Sequence, residues 1–466
     1  MERAGAEGLV LGVDVGTTET KAVATTLEGR VLAIGRGVTP WDVREDGGAE
    51  VAPAVLLDGV LAACGQAVEQ ASAVPGVAGT LPVRAVGVTG MAEAGVLLDP
   101  TGRPSQLPII AWFDPRGSAE LAELDAGFAE GFPARTGLPL GPLATFAKLL
   151  WMRREHDLSL SGRRWLNVPE YVVHALGGDA VAEPSLASRT GLLDQADRTP
   201  FEEALSVLGA SSELLPPLVP AGTPVGHTGQ GAPAWLRGAV LTVAGHDHPV
   251  ASLAAGALGP DDVFDSCGTA EAFLRVTEHR ISPEQRIELS THNVTQGAHV
   301  LVGRDLLLGG TRGGLLLRRT LAMLGADEPA AREALEAACP LGEVSLPVHV
   351  EGGRLDEQGL WLRIDADDVS PAMVWRAALD AVADQAREVV RVFERVVGPA
   401  ARMVAAGGWT RSPSYRAVKE RTFPGVTFSD VEQPGGVGAA AIASSAAAGD
   451  TPTSLPDTIA RFVGTG

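Results

Sequence analysis

The chain has 466 residues, enough for about two to four domains. Its 37 basic and 57 acidic side chains give a formal net charge of −20 without any basic block, so neither nucleic acid nor a membrane is expected as a partner. Hydrophobic residues make up 45% of the chain, which excludes a wholly disordered protein. The opening residues lack a signal core and the three cysteines lack metal-site spacing, which predicts a cytoplasmic enzyme without disulfides.

The first forty residues predict a three-stranded β-meander. Apolar and β-branched runs over 9–15, 20–26 and 31–36 are separated by the turns Gly16-Thr17-Thr18-Glu19 and Glu28-Gly29. A strand follows the first glycine turn where a Rossmann fold would begin a helix, and no P-loop sequence is present. The opening therefore predicts neither of these two nucleotide-binding folds.

The rest of the chain alternates predicted helices and strands, and its second half repeats the opening theme. Helices are predicted over 53–71, 143–155 and 371–397. Strands are predicted over 83–89, 95–98, 109–112, 240–244, 263–266, 271–276, 300–308 and 403–406. Because each half begins with a strand, a Gly-Thr turn and a strand, the sequence predicts an α/β protein of two similar units with a boundary near residue 243.

The segment GVDVGTTETK, from Gly12 to Lys21, gathers a carboxylate, small residues and an ammonium around one hairpin turn. Glycine and small hydroxyl residues expose backbone N–H groups to phosphate, and a lysine adds positive charge. Asp14 offers the hard oxygen ligand that a divalent metal bridging phosphates requires. The segment predicts a phosphate loop, although an ordinary hairpin fits the same residues.

A second Gly-Thr turn, Gly268-Thr269, lies in the segment SCGTAEA over 266–272. Such turns are common, so this one predicts little alone. Two of them, one in each half, could clamp a polyphosphate from opposite sides. Cys267 is most simply a small residue that fits the turn.

The segment AGHDHP, over 244–249, ends the strand that opens the second half. Asp247 could be a general base that deprotonates an alcohol. Alternatively His246 and His248, which would share a face on a strand, could bind a transition metal, although no third His or Cys ligand is identifiable. A solvated loop is a third interpretation, and these residues alone leave all three open.

Taken in order, these segments resemble the FGGY family of carbohydrate kinases, within the sugar kinase/heat-shock chaperone/actin superfamily. DVGTTETK is similar to its first phosphate loop, GHDH to its catalytic-aspartate segment, SCGTAE to its second phosphate loop and AAGGWTRS (405–412) to its adenosine loop. Other similar segments are GVTGMAEAGVLLD (87–99), AWFDPRG (111–117), TFAKLLWMRRE (145–155), SLASRTG (185–191) and GVGAAAIA (436–443).

The resemblance implies an α/β fold of two actin-like, ribonuclease H-like domains with an ATP and sugar cleft between them. Residues 1–242 would carry the sugar site and first phosphate loop, and residues 243–466 the catalytic aspartate, second phosphate loop and adenosine loop. The implied reaction transfers the γ-phosphoryl group of ATP, with magnesium, to a hydroxyl of a ketose, polyol or sugar acid. A homodimer is a common expectation for such a family.

Matching the motifs residue by residue implies individual roles. Asp247 would be the general base, and Asp14 would organise magnesium. Phosphate or nucleotide contacts are implied for Asp14, Gly16, Thr17, Thr18, Lys21, Gly268, Thr269, Gly407 and Gly408. Sugar contacts are implied for Glu93, Trp112, Asp247 and His248, with Asp114 and Arg116 nearby.

Two departures from the family pattern concern the substrate rather than the chemistry. Ala92 stands where glycerol kinases carry arginine, which argues against glycerol, and residues 415–419 depart from a Trp-Gln pattern that follows the adenosine loop in many relatives. The alternative functions are an actin- or chaperone-like ATPase and a sugar-sensing protein without catalysis. The constellation of Glu93, Trp112 and Asp247 favours the kinase.

Overall fold

The computed structural model of the chain describes residues 8–75, 81–354, 359–450, 453 and 455–463. Strands and helices alternate through most of this length. The strands are β1 (Leu9–Val15), β2 (Glu19–Thr25), β3 (Val31–Val38), β4 (Asp42–Val43), β5 (Ala49–Val51), β6 (Val83–Gly90), β7 (Gly95–Leu98), β8 (Ile109–Ile110), β9 (Arg164–Asn167), β10 (Val240–His246), β11 (Asp262–Cys267), β12 (Glu271–Thr277), β13 (Thr295–Ala298), β14 (Asp305–Thr311), β15 (Val348–Gly352), β16 (Leu360–Ile364), β17 (Arg402–Ala406) and β18 (Thr427–Phe428).

The helices vary from one turn to 27 residues. They are α1 (Pro53–Ser72), α2 (Ser118–Leu121), α3 (Ala126–Thr136), α4 (Thr145–Glu155), α5 (Val168–Ala175), α6 (Pro184–Ala187), α7 (Glu202–Leu208), α8 (Asp247–Ala254), α9 (Pro283–Thr291), α10 (Gly313–Met323), α11 (Pro329–Ala338), α12 (Pro371–Val397), α13 (Pro413–Thr422), α14 (Pro434–Ala448) and α15 (Leu455–Val463). In the described chain, no helix combines the length and apolar character needed to cross a membrane.

Two large sheets organise the fold. The first has the order β10-β6-β1-β2-β3, and the second has the order β13-β14-β12-β11-β17-β18. In the first sheet β1 pairs antiparallel with β2 and parallel with β6, whereas in the second β11 pairs antiparallel with β12 and parallel with β17. The two sheets therefore repeat one local topology, as the paired Gly-Thr turns predicted.

The central strand β6 is mostly apolar because helices cover it. Seven of its eight residues are buried, and it pairs parallel with both β1 and β10. Parallel strands that are covered on both faces are typically continuous apolar runs. Helix α14 lies against β1 and β6 so closely that a Cβ at Gly12 would come 1.9 Å from the carbonyl oxygen of Gly436. Small residues on both elements permit this approach.

The predicted boundary between residues 242 and 243 falls inside β10, which hydrogen-bonds to β6 at the edge of the first sheet. Strand β10 therefore belongs to the amino-terminal sheet over its whole length. Helix α14, from the carboxy-terminal part of the chain, also packs on that sheet. The polypeptide consequently crosses between the two sheets more than once.

Several predicted strands differ from the observed strands at their ends. The strand predicted over 300–308 is observed as β14, Asp305–Thr311, because residues 299–304 form a turn closed by a hydrogen bond from the His299 N–H to the Arg304 carbonyl at 3.0 Å. Val300 and Leu301 are apolar because they are buried in this turn, not because they form a strand. The strand predicted over 109–112 contains only Ile109–Ile110.

Candidate active site

A cavity of about 900 Å³ is lined by residues of both large sheets and of their connecting loops. It brings together seven of the residues that the sequence predicted: Asp14, Lys21, Asp247, His248, Gly268, Gly407 and Gly408. They come from four separate segments of the chain, 12–21, 244–249, 266–272 and 405–412. The start of α14 and the residues before it, 429–435, complete the same wall.

Asp14 lies near the end of β1, directly opposite Lys21 on β2. Its Oδ1 atom is buried and accepts no hydrogen bond from the described residues. Burial raises the pKa of Asp14, and the nearby charge of Asp247 raises it further. A Cβ at Gly435 would lie 2.4 Å from Oδ2 of Asp14, so a residue without a side chain is needed where α14 meets this carboxylate.

Asp247 is the first residue of α8, and His246 is the last residue of β10. The prediction that both histidines share one face of a strand is therefore wrong, since the chain changes to helix between them. Oδ1 of Asp247 accepts the His248 backbone N–H at 2.7 Å and lies 3.1 Å from Nε2 of His246. Burial raises the pKa of Asp247, and the charge of Glu93 adds to the effect.

The two histidines are uncharged at neutral pH. Burial lowers the pKa of His248 to about 4 and lowers that of His246 well below its ordinary value. Nε2 of His248 lies 3.9 Å from Oδ1 of Asp247. His246, Asp247 and His248 each place one potential ligand atom within 4.8 Å of the others, so the cluster has the spacing of a metal site.

The turn that carries Asp247 is held from below by Ser185. The Ser185 hydroxyl accepts the His246 backbone N–H at 3.0 Å and donates to Oε2 of Glu183 at 2.5 Å. Thr89 donates its hydroxyl to the Gly245 carbonyl at 2.7 Å. Gly245 itself has a φ of 111°, which favours glycine. Together these contacts fix the change from strand to helix between His246 and Asp247.

The loops of the second sheet meet at Gly407, which follows β17 with a φ of 125°. A Cβ at this position would lie 2.6 Å from the carbonyl oxygen of Cys267, the residue before Gly268. The adenosine loop and the second phosphate loop predicted from the sequence are therefore in direct contact. Thr269 is exposed and does not line the cavity.

A buried ionic cluster lies beneath the second phosphate loop. Nζ of Lys419, on α13, is 2.7 Å from Oδ2 of Asp265 and donates to Oε1 of Glu271 at 2.7 Å. The Tyr415 hydroxyl donates to the same Glu271 oxygen at 2.7 Å. Asp265 and Glu271 lie on β11 and β12, on either side of the loop. Lys419 thus joins both strands of this hairpin to the helix after the adenosine loop.

Two tryptophans hold the first Gly-Thr turn, which begins at Gly16, through hydrogen bonds to Thr17. Trp112 Nε1 donates to the Thr17 hydroxyl at 2.8 Å, and Trp41 Nε1 donates to the Thr17 carbonyl at 2.6 Å. Thr18 is exposed, and the Gly16 carbonyl accepts the Thr39 hydroxyl at 2.8 Å. Trp112, predicted as a sugar contact, therefore supports the loop that is predicted to bind phosphate.

Glu93 and Arg189 form an ion pair whose charges act on Asp247. Arg189 Nε donates to Oε1 of Glu93 at 2.6 Å, and its Nη1 donates to the Thr295 hydroxyl on β13 at 2.6 Å. Sequence analysis missed Arg189, although it lies in SLASRTG, a segment that resembles the family. The resemblance of this segment to the family did not indicate which of its side chains takes part in the site. Arg189 supplies a guanidinium beside Glu93 although the adjacent position 92 is alanine.

Asp114 and Arg116 contact each other instead of the cavity. Arg116 Nη2 lies 2.6 Å from Oδ2 of Asp114, which also accepts the Ala49 backbone N–H at 2.7 Å. Arg116 makes a second ion pair with Glu50 at 2.6 Å. The Asp114 side chain is inaccessible to solvent, so this pair supports the loop after β8 and offers no free group to a sugar.

Known proteins resemble this chain over most of its length. Residues 9–254 match the FGGY family of carbohydrate kinases, N-terminal domain. A glycerol kinase from Thermus brockianus is 31% identical over 331 residues, which are 68% of this chain and 64% of that protein, slightly less than two thirds. A gluconokinase from Bacillus licheniformis is 23% identical over 442 residues, covering 89% of this chain and 82% of that protein.

The crystal structure of Plasmodium falciparum glycerol kinase with ADP superimposes with a TM-score of 0.83 at 16% identity, covering 97% of this chain and 92% of that one. This likeness confirms the predicted α/β fold of two actin-like domains. The match over residues 9–254 covers more than half of the 466 residues. The chain therefore belongs to the FGGY family of carbohydrate kinases.

Proposed function

We propose that this protein transfers the γ-phosphoryl group of ATP to a hydroxyl of a ketose, polyol or sugar acid. The observation that carries the proposal is one cavity in which Asp14, Lys21 and Asp247 meet two glycine loops at Gly268 and Gly407. Phosphoryl transfer requires positioning and neutralisation of charge more than covalent chemistry by the protein. The cavity offers a cation, two carboxylates and close backbone approach for these purposes.

The nucleotide would lie along the glycine loops. In this proposal Gly16, Thr17, Thr18 and Lys21 contact the phosphates from one side, and Gly268 and Thr269 contact them from the other. Gly407 and Gly408 allow the nucleoside to approach the backbone. The amino-terminal end of α14 lines the same cavity, and the partial positive charge of a helix start favours anions.

Magnesium suits the donor set around Asp14. The buried Oδ1 atom without a hydrogen-bond partner and the raised pKa of Asp14 both indicate a carboxylate that is left uncompensated by the protein. Asp14 would hold the ion directly or through water. When bound, magnesium would neutralise charge on the phosphate oxygens, and hard oxygen ligands suit it better than imidazole does.

Asp247 would act as the general base. Its Oδ1 is engaged by His246 and His248, so Oδ2 is the oxygen that we assign to proton transfer. As the acceptor oxygen forms a bond to the γ-phosphorus, its proton would move to Oδ2 and the bond to the bridging oxygen of ADP would break. A raised pKa makes this carboxylate a stronger base than an ordinary aspartate.

Glu93, Trp112 and His248 would form the acceptor side of the site. His248 is neutral, so it would hydrogen-bond a hydroxyl without adding charge. Asp114 and Arg116 would act through the loop that carries Trp112 rather than touch the sugar. In this proposal residues 1–242 contribute the acceptor side and first loop, and residues 243–466 contribute the base, second loop and nucleoside loop.

The decisive experiment is ADP release from magnesium ATP across a panel of ketoses, polyols and sugar acids. The relatives are named for a polyol, glycerol, and for a sugar acid, gluconate, so both classes belong in the panel. We expect at least one acceptor to stimulate ADP release well above the rate without acceptor. ADP release that no member of the panel changes would instead favour an ATPase, and binding of a sugar without ADP release would favour a sugar sensor.

A further inference from the structure

Glu93 occupies an uncommon backbone conformation next to the proposed base. Its φ is 64°, a left-handed conformation that few residues other than glycine adopt. The residue is nearly buried, and its carbonyl oxygen accepts the Thr145 hydroxyl at 3.0 Å. Strain of this kind persists where the surrounding structure holds it, and the Glu93 carboxylate is close enough to Asp247 for its charge to raise the pKa of Asp247.

Arg189 contacts only one of the two Glu93 oxygens. Its Nε and Nη2 atoms both lie 2.6 Å from Oε1, and its Nη1 atom reaches Thr295 on β13 of the second sheet. Oε2 of Glu93 accepts no hydrogen bond from the described residues. The pair therefore has no net charge but keeps one free acceptor oxygen and unused guanidinium N–H groups.

The neighbouring cations are committed elsewhere. Lys148 is fully buried and donates to the backbone carbonyls of Asp114 and Pro142. Lys21 lines the nucleotide cavity opposite Asp14. Arg189 is therefore the cation that pairs with Glu93 beside Asp247, and Glu93 already balances its charge.

We propose that the Glu93–Arg189 pair makes the acceptor site selective for uncharged ketoses or polyols over sugar acids. The inference rests on the proposed kinase function. A carboxylate on the substrate would approach two carboxylates, those of Glu93 and Asp247. It could accept from the remaining N–H groups of Arg189, but Glu93 already balances that charge, so three carboxylates would share one cation at a nearly buried site, which is strongly unfavourable.

An uncharged polyol meets no such penalty. A hydroxyl can donate to Oε2 of Glu93 and accept from a free N–H of Arg189 at the same time. Glu93 is then the residue that turns acids away, and Arg189 is the residue that holds it in place. Thr295 anchors Arg189 without changing the charge at the site.

Matched acceptor pairs test this selectivity: erythritol with erythronate, xylitol with xylonate, and glucitol with gluconate. We expect kcat/KM for ADP release to be at least about tenfold higher for the uncharged member of any pair that is used. Glu93→Gln removes the repelling charge and frees Arg189, so it should shift the ratio toward the acid by about tenfold. Because this variant could lose turnover, the affinities for both members of a pair are also measured calorimetrically with ADP and magnesium present.

Thr295→Val is the matched control, since it removes the other hydrogen bond of Arg189 but leaves all charges in place. Its selectivity ratio should stay within about twofold of the wild-type ratio. A shift as large as that of Glu93→Gln would mean that position rather than charge sets selectivity, and it would overturn the inference. A wild-type enzyme that uses acids as well as or better than uncharged acceptors would also overturn it, as would a Glu93→Gln variant with unchanged ratios in both turnover and binding. These failures leave the kinase function intact, whereas a panel without any stimulated ADP release would refute that function itself.

Discussion

Nε2 of His246 lies 3.1 Å from Oδ1 of Asp247, the oxygen that also accepts the His248 backbone N–H. Both contacts fall on the same carboxylate oxygen. This leaves Oδ2 of Asp247 as the oxygen available to an incoming hydroxyl. The strand-to-helix change between the two residues produces this arrangement, since it places the His246 ring and the His248 N–H beside the same atom.

Replacing Asp247 with alanine should abolish acceptor-dependent turnover but preserve nucleotide binding. Loss of a general base typically lowers the rate by about 100- to 10,000-fold. ADP release with the best acceptor measures the first effect, and titration with ADP measures the second. A variant that kept more than about a tenth of wild-type turnover would remove Asp247 from the mechanism.

The pH dependence of kcat/KM should reflect the raised pKa of Asp247. Because the base must be ionised, activity should fall as the pH decreases, at a pH well above the 3.8 of an ordinary aspartate. His246→Phe removes a polar neighbour of Oδ1 and should move this acidic limb to still higher pH. The wild-type and His246→Phe pH profiles are compared on kcat/KM, because its pH dependence gives the pKa values of the free enzyme. An acidic limb that stayed in place would show that His246 does not influence the base.

Magnesium rather than zinc should support activity, although His246, Asp247 and His248 have metal-site spacing. His246 and Asp247 already contact each other, and the buried free oxygen belongs to Asp14. A zinc-selective chelator in excess magnesium should leave ADP release unchanged, whereas removal of magnesium should abolish it. Inhibition by the zinc chelator would reverse this assignment.

Much of the fold could be predicted because hydrophobic periodicity and glycine turns act locally. The predicted meander corresponds to β1, β2 and β3, and the predicted long helix coincides with α12, Pro371–Val397. The strand predicted over 300–308 began too early because Val300 and Leu301 are buried in a turn, and buried positions favour apolar residues in turns as well as in strands. The position of β10 in the first sheet depends on long-range pairing, which local patterns do not contain.

The sequence singled out candidate residues that lie in short motifs, but not residues whose partners are distant in sequence. Asp14 and Asp247 stood out because their neighbours are glycine, threonine and histidine. The partnership of Glu93 with Arg189 spans 96 positions, so neither residue indicates the other in sequence. Asp114 and Arg116 were proposed because AWFDPRG resembles a sugar-site segment of the family, yet their charges compensate each other in a buried pair.

Lys419 should be important for stability because it is buried between Asp265 and Glu271. Lys419→Met would leave two buried carboxylates without their cation, a change that typically costs about 3–5 kcal/mol. Urea unfolding monitored by circular dichroism measures the loss. The triple variant that adds Asp265→Asn and Glu271→Gln should recover part of it, since the uncompensated charges are then removed. A triple variant less stable than Lys419→Met would contradict this account.

The two Gly-Thr turns should contribute to one phosphate clamp. A Cβ at Gly16 would lie 2.9 Å from the Glu19 carbonyl oxygen, and one at Gly268 would lie 3.1 Å from the Ala270 carbonyl oxygen. Both turns are therefore similarly tight, and a β-branched side chain would distort each of them and obstruct the approach of phosphate. Gly16→Val and Gly268→Val should each weaken ATP binding and lower turnover without unfolding the protein.

The matched control for this clamp is Gly231→Val, because Gly231 is exposed and a Cβ there would meet no atom within 4 Å. Affinity for ATP, turnover and the thermal midpoint are measured for all three variants. Thermal midpoints near wild type would assign any loss of affinity to the turns themselves. If Gly268→Val bound and turned over ATP like Gly231→Val while Gly16→Val was inactive, the nucleotide would be held from one side, and the two-loop clamp would be wrong.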